Sequence, residues 1–468
     1  MQRELAGDRW RQRHQAHQDQ GDHECAEQLL ATAFEERGHT DATSSPWPFL
    51  GSAFYYSQAM RLHNTETGAV QPLEGRDGPI RIYVCGITPY DTTHLGHAFT
   101  YVAFDVLVRA LRAKAIKVRY VQNVTDVDDD IIRRARELNT TWDRLATKET
   151  ALFEADLAAL NVHAPDVFPR ASQTIPRIIE LVSKLEAQGH AYRSDGNVYF
   201  RVDSVTDYGR LSRLSREAMV KVSGERGADP ADPRKRDPLD FVLWQRSAPG
   251  EPLWASPWGE GRPGWHIECS AMALQHLGDQ IDIHGGGSDL IFPHHESEIA
   301  QSESATGVRP FARIWAHVGM LRYRGEKMSK SLRNLVLVRD LLQRYDSDSI
   351  RVLLLRHHYR EPWAYEEEQL QDAQEWTRAL QQRSKPVNAE EGAPPPAVRE
   401  ALEDDLDTPR ALDVLRQLVE GGDARWRATA DLLGLGLGKA SSSEMGKTLG
   451  WPAPFHDPSN DRRVRPAR

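Results

Sequence analysis

The chain has 468 residues, of which 40% are apolar and 27% charged, and its net charge is −9. That length exceeds one ordinary core and implies two or three domains. The acidic balance excludes a protein whose main business is coating nucleic acid, while leaving room for a local basic surface that faces one RNA.

No run of about 18 apolar residues marks a membrane span, and the polar N-terminus carries no secretory signal. The three cysteines, Cys25, Cys85 and Cys269, make no disulfide framework, so a cytoplasmic, soluble protein is expected. Residues 1–46 are rich in Gln, His, Glu, Asp and Arg and, apart from a short helix near 26–34, read as flexible. Met60 opens the first stretch with domain character, so residues 1–59 read as a polar extension, either a real appendage or a misassigned start.

Residues 80–85 are short, apolar and β-branched, the pattern of a buried strand. Apolar residues at helical spacing over 97–113 and a second strand at 118–122 complete a parallel βαβ unit. Helices are expected at about 129–138 and 171–188, and strands at 198–202, 240–244, 281–284 and 314–318. The 281–284 strand runs into Gly285, Gly286 and Gly287. Helices follow over 347–357 and 364–382, a Pro/Gly linker over 388–396, and helical pieces over 397–420 and 423–433. Residues 434–468 read as a disordered tail whose terminal arginines are solvated.

Two motifs carry chemistry. His94-Leu95-Gly96-His97 stands where a strand gives way to a helix. Helix N-termini bind anions through their N–H groups and dipole, imidazoles there donate to phosphate oxygens, and Gly96 lets a base or ribose approach the backbone. Lys327-Met328-Ser329-Lys330-Ser331 supplies two lysines on a small-residue loop, suited to neutralising charge on a leaving pyrophosphate. Alone, the first also reads as a polar cap with incidental histidines, and the second as a solvated loop. Together they point to His94, His97, Lys327 and Lys330 as catalytic groups that open ATP while a carboxylate attacks its α-phosphate.

These motifs resemble the HIGH and KMSKS signatures of class I aminoacyl-tRNA synthetases. More closely, the chain resembles cysteinyl-tRNA synthetases and the related ligase that joins cysteine to glucosaminyl-inositol in mycothiol synthesis. The matching segments are YVCGITPYDTTHLGH at 83–97, YVQNVTDVDDDII at 120–132, DPLDFVLW at 237–244, GEPLWASPWGEGRPGWHIECSAMAL at 250–274, DIHGGGSDLIFPHHESEIAQSE at 282–303 and GEKMSKSLRN at 325–334, with an echo at DDLDTP, 404–409. The resemblance implies an α/β fold with a Rossmann-like parallel sheet over 60–345 and an inserted connective region at about 135–250. It further implies a helical stem-contact region over 346–387 and a short helical remnant of a C-terminal bundle over 397–433.

It also implies a site. The family's zinc ligands fall on Cys85, Cys269, His294 and Glu298; four residues apart, the last two share one helix face. Thr88, Thr125, Trp265 and His284 align with the cysteine pocket, and Gly96, Gly285, Gly286, Gly287, Asp289 and Lys330 with the ATP site. Zn²⁺ and Mg²⁺ with ATP are the expected cofactors, and ATP, L-cysteine and tRNA the expected partners of a monomeric enzyme. The acidic run Asp126, Asp128, Asp129 and Asp130 reads as a helix cap rather than a Mg²⁺ site, and Trp254 and Trp258 as core closure rather than RNA stacking.

Two departures stand out: Arg333 where the family has glycine, and little chain beyond the DDLDTP segment. Cysteine--tRNA ligation is therefore weighed against transfer of cysteine to the amine of glucosaminyl-inositol, which the shorter C-terminus and the GITPYD variant favour. The mycothiol-type ligase lacks the carboxylate found here at Glu298. An inactive, synthetase-like binding protein is the third reading, opposed by the intact motifs.

Overall fold

Four parallel strands in the order Ala312–Val318, Ile281–Gly287, Ile80–Ile87 and Val118–Val124 form the central sheet of the computed structural model. The structure describes residues 59–75, 77–90, 93–328, 334–383, 392–437 and 451. Lys330, Arg333, nearly all of the N-terminal extension and most of the tail lie outside the described residues. No helix among the described residues is long and apolar enough to cross a membrane.

The strands are apolar almost throughout because both faces are covered. Ile82, Val84, Ile314 and Ala316 face one core, shared with the Leu95–Ala113 helix. Tyr83, Cys85 and Trp315 face the other, shared with the Ile175–Ala187 and Trp265–Leu277 helices. The βαβ unit expected from the sequence is present, with Ile80 paired to Val118. Its helix starts two residues before the apolar pattern does.

An antiparallel meander of Ala191–Ser194, Asn197–Phe200, Phe241–Arg246 and Gly261–Pro263 forms the inserted sheet. The last strand of this sheet lies past residue 250, where the inserted region was expected to end, and leads directly into the Trp265–Leu277 helix. Lys327 ends a small hairpin, Leu321–Tyr323 with Glu326–Lys327, and Trp363–Tyr365 adds a parallel strand to it. The helix expected over 364–382 consequently begins at Glu367.

Several helices escaped the periodicity reading, among them Trp142–Ala159, Arg216–Glu225, Trp265–Leu277 and Glu296–Thr306. Trp142–Ala159 buries Leu145, Ala146, Phe153 and Leu157 within a sequence of mixed apolar and charged residues. Trp265–Leu277 and Glu296–Thr306 are buried on nearly all sides, so neither has the single apolar stripe that marks a surface helix.

The predicted disordered tail needs correction at its near end. Leu435, Leu437 and Trp451 are buried in the same core as the Leu95–Ala113 helix. Backbone groups there have fixed partners. Arg351 Nε donates to Leu433 O at 2.6 Å, Asn161 Nδ2 to Gly434 O at 2.6 Å, and Gly436 and Leu437 N–H groups to Asp348 at 2.7 and 2.8 Å. Trp451 Nε1 donates to Val162 O at 2.8 Å.

Arg351 is 1% exposed and pairs with Asp105 of the Leu95–Ala113 helix. Burial alone would raise the Asp105 carboxyl, but Arg351 and Arg109 beside it hold it well below the usual carboxylate range. A buried guanidinium needs such partners, and the carbonyls of Leu433, Leu160 and Asn161 supply the rest. The DDLDTP echo is structural too: Asp405 accepts from His63 N and Tyr359 Oη, both at 2.8 Å, and Asp407 caps the Thr408–Glu420 helix.

Gly434 tests this arrangement. Its φ is +72°, and an added Cβ would lie 2.2 Å from an Arg351 nitrogen. Gly434→Ala is expected to cost ~2–4 kcal/mol in a denaturant titration. Gly422→Ala, at φ +68° with open space around it, should cost only about 1–2 kcal/mol.

Candidate active site and metal centre

The carboxyl ends of the central strands open into a cavity of about 1120 Å³, the usual ligand position in an open α/β sheet. His94 is the N-cap of the Leu95–Ala113 helix: its Nδ1 accepts from the Gly96 and His97 N–H groups at 3.1 and 3.4 Å. A neutral imidazole that accepts at Nδ1 carries its proton on Nε2, so His94 is fixed as a donor toward the cavity it lines. The His97 ring stacks on it, with centroids 3.7 Å apart. A Cβ at Gly96 would come within 2.9 Å of the His94 ring.

At the other end of the cavity, Cys85 from the Ile80–Ile87 strand meets Cys269 from the Trp265–Leu277 helix and His294 and Glu298 from the chain entering the Glu296–Thr306 helix. All four are buried, and their donor atoms lie within 4.8 Å of one another. Cys85 Sγ is 3.4 Å, and His294 Nε2 3.0 Å, from Glu298 Oε1. His284 Nε2 holds the second carboxylate oxygen at 2.8 Å. His266 Nδ1 stands 2.9 Å from His294 Nδ1, and the Trp265 ring stacks on His294 at 4.3 Å. The outer partners orient each ligand so that one atom faces the cluster, an arrangement typical of metal sites. The donor set fits a metal ion.

The electrostatics agree. Burial opposes ionisation of Glu298, but the charges of His284 and His294 bring its carboxyl down to about 2. Burial would keep His294 neutral, yet Cys269 and Glu298 raise it to about 10. Burial and the neighbouring sulfur push the Cys85 thiol up. Cys269 is shifted down against burial by hydrogen bonding with Cys85 and by the His294 charge. Within the pair, Cys269 is thus the sulfur that ionises more readily.

Thr88, Thr125, Trp265, Gly96, Gly287 and Asp289 line the cavity. Lys327 is placed at the end of its strand. Three expected contacts lie deeper. His284 is fully buried behind Glu298, so it orients that carboxylate rather than touching the cavity. Gly285 is small because Phe104 packs over it, where a Cβ would approach within 2.1 Å, and at Gly286 a Cβ would meet Leu290 at 2.9 Å. Asp289 pairs with Arg226 at 3.4 Å, a contact the sequence did not signal.

The acidic run is a cap: Asp128 accepts from Asp130 N–H at 2.8 Å, and Asp126 from Ser172 N and Oγ at 2.8 and 2.6 Å. Trp254 and Trp258 pack against the second core. Sequence reasoning missed His295 and His317, which form a chain behind Cys85. His295 Nε2 is 3.3 Å from Cys85 Sγ, His295 Nδ1 is 2.7 Å from His317 Nε2, and His317 Nδ1 is 2.7 Å from Thr65 Oγ1. The His294-His295 doublet was the one visible signal.

A parallel sheet with an imidazole-capped helix at its carboxyl end and a thiol-rich cluster across the cavity defines a nucleotide-activating domain of the class I synthetase type. The chain belongs to the class I tRNA synthetases of the cysteine type: the family described as tRNA synthetases class I (C) catalytic domain matches residues 71–375. It is 45% identical over 407 residues to a cysteine--tRNA ligase of Dehalococcoides mccartyi, covering 82% of this chain and 88% of that one. It is 46% identical over 370 residues to an L-cysteine:1D-myo-inositol 2-amino-2-deoxy-alpha-D-glucopyranoside ligase of Kribbella flavida, covering 78% and 90%. Methionyl-tRNA synthetase of Mycobacterium tuberculosis, solved with methionyl-adenylate, shares the fold at a TM-score of 0.55 and 19% identity, over 79% of this chain and 90% of that one.

The buried histidines carry a pH signature. Burial, with the charge of His284, lowers His317 to about 3. The unfolded chain takes up a proton at this residue below about pH 6.5 and the folded chain does not. This contribution is therefore complete above pH 6.5 and is lost as pH falls toward 3, at no more than about 1.4 kcal/mol per unit. In His317→Gln, the denaturation midpoint should depend less steeply on pH between 6.5 and 4.

Proposed function

We propose that the chain is an ATP-dependent ligase that activates L-cysteine as cysteinyl-adenylate and transfers the cysteinyl group to tRNA. One observation carries this reading: Cys85, Cys269 and His294 line the same cavity as His94, Gly96 and His97. A thiol-seeking centre and a phosphate-binding helix start therefore act on one ligand.

Zinc is the ion that suits two sulfurs, an imidazole and a carboxylate, with Cys85, Cys269, His294 and Glu298 as its holders. Bound there, it would supply a soft electrophile for the substrate sulfur and a reason to reject serine, whose hydroxyl is a poor partner for it. The protein's own groups do the rest. Trp265 and Thr125 flank the amino acid. The N-terminus of the Leu95–Ala113 helix and the Nε2–H of His94 receive phosphate oxygens, and Lys327 and Lys330 serve the departing end, with Mg²⁺ accompanying ATP. The cysteine carboxylate bonds to the α-phosphorus, the bond to the β-phosphate oxygen breaks, and pyrophosphate leaves with the electron pair. A 3′-terminal ribose hydroxyl then bonds to the carbonyl carbon, and AMP leaves with the electron pair and takes up the hydroxyl proton.

A second reading, transfer to the amine of glucosaminyl-inositol, is supported by the similarity to the Kribbella flavida ligase over 90% of its length. Glu298 favours the tRNA reading, because the resemblance associates a carboxylate at that position with the tRNA ligases. Free thiols at Cys85 and Cys269 suit work in a reducing cytoplasm.

The test compares acceptors using labelled cysteine, ATP and either tRNA or glucosaminyl-inositol. Stoichiometric charging of tRNA is expected; amide formation without charging would replace this reading with the second. Cysteine-dependent exchange of pyrophosphate into ATP measures the activation half-reaction by itself. Cys269→Ala should lose bound zinc and at least 100-fold of that exchange (roughly 3 kcal/mol of transition-state stabilisation). Full zinc with retained exchange would show that the ligands are misassigned.

A further inference from the structure

The Trp142–Ala159 helix, which the sequence did not reveal, brings two carboxylates toward the nucleotide end of the cavity. Glu149 lines the cavity. Asp156, two turns further along the same face, receives Arg339 Nη2 at 3.1 Å. Arg339 also lines the cavity, although nothing in its motif context singles it out.

The position of Arg339 is fixed relative to His94 by backbone hydrogen bonds. Leu95 N donates to Val336 O and Val338 N to Thr93 O, both at 2.9 Å, and His94 and Leu337 form an isolated antiparallel bridge. The segment that carries Arg339 is thus bolted to the turn that carries the phosphate-binding imidazoles. Asp156 then fixes the side chain: its carboxylate is 8% exposed and the Arg339 side chain 28% exposed.

The other described arginines lining the cavity are different. Arg133 and Arg134 pair with Asp130 and Glu137, acids on their own helix that are 38% and 52% exposed. Such pairs are weak and rearrange easily. A buried carboxylate holding an arginine whose backbone is already anchored gives a charge that needs no reorganisation when an anion arrives. The planar fork of a guanidinium matches phosphate oxygens.

We propose that Arg339 is a further phosphate-binding residue of the nucleotide site, with Asp156 as its positioning residue. It contacts the polyphosphate of ATP, and hence pyrophosphate, from the side of the His94 turn. This rests on the reading of the cavity as an ATP site but not on the identity of the amino acid or of the acceptor.

Calorimetric titration of the full chain with ATP, with inorganic pyrophosphate and with adenosine tests the assignment. Arg339→Ala is expected to weaken ATP and pyrophosphate at least 10-fold while leaving adenosine affinity and zinc content unchanged. Arg339→Lys should recover part of the loss, and Asp156→Asn should produce a smaller loss confined to the same two ligands. Unchanged pyrophosphate affinity in folded Arg339→Ala would overturn the assignment. So would an equal loss of adenosine binding, which would mark the pair as a structural brace. Should Arg339→Ala fail to fold, Arg339→Lys decides: undiminished pyrophosphate affinity overturns the proposal, and a several-fold loss without loss of adenosine supports it. Because these titrations contain no cysteine, a chain that binds pyrophosphate through Arg339 yet shows no cysteine-dependent exchange would refute the proposed function and leave this inference standing.

Discussion

The parallel pairing of Ile80–Ile87 with Ile281–Gly287 is the constraint on which the site depends. Its register sets Tyr83 opposite His284 and Val84 opposite Gly285. Cys85 therefore emerges beside the glycine run, and His284 lies in reach of Glu298. The missing side chain at Gly285 admits Phe104, a residue of the Leu95–Ala113 helix. That contact seats the helix close to the strands and aims its N-terminus, with His94 and His97, at the same opening. A one-residue slip would turn Cys85 to the other face of the sheet and separate the sulfur from the phosphate end.

Around this pairing the molecule buries much polar chemistry and partners most of it. Glu298, Glu296, Gln301, Ser302 and Glu303 all sit inside the protein on a single helix. Glu303 accepts from Arg210 and from Phe311 N, Glu296 from Ser212 N, and Gln301 donates to His266 O. Burying such groups without partners would cost several kcal/mol each; with partners they hold the cluster in one geometry. The same logic recurs at Arg351, where the pair with Asp105 ties the Ser347–Leu355 helix and the C-terminal carbonyls to the helix headed by His94. The C-terminal region thus belongs to the catalytic core physically, whatever part it plays toward an acceptor.

Strands were legible because both faces are buried and β-branched runs are short. The His94 turn and the Asp128 cap were legible because each is a local pattern of residue types; the four metal-competent donors, dispersed along the chain, came only through the family resemblance. Legibility failed where polarity and burial part company. The Trp265–Leu277 and Glu296–Thr306 helices carry two of the four donors, Cys269 and Glu298, yet have no apolar stripe to announce them. Leu435, Leu437 and Trp451 lie among Gly, Ser and charge; Arg351, Asp348 and Val162 O give this segment and Trp451 a place to dock. Three assignments transferred by resemblance changed meaning once neighbours were visible: His284 orients a carboxylate, and Gly285 and Gly286 make room for Phe104 and Leu290.

By itself the sequence determined which chemistry is possible, because thiols, imidazoles, carboxylates and lysines keep their reactivity wherever the chain puts them, and because strand patterns are written in adjacent residues. Only the tertiary structure decided which of those groups share a cavity and which stand behind them. Contacts such as Cys85 with Glu298, Asp105 with Arg351 and Asp156 with Arg339 join residues far apart along the chain. Their distances and degree of burial are set by packing, which no local pattern records.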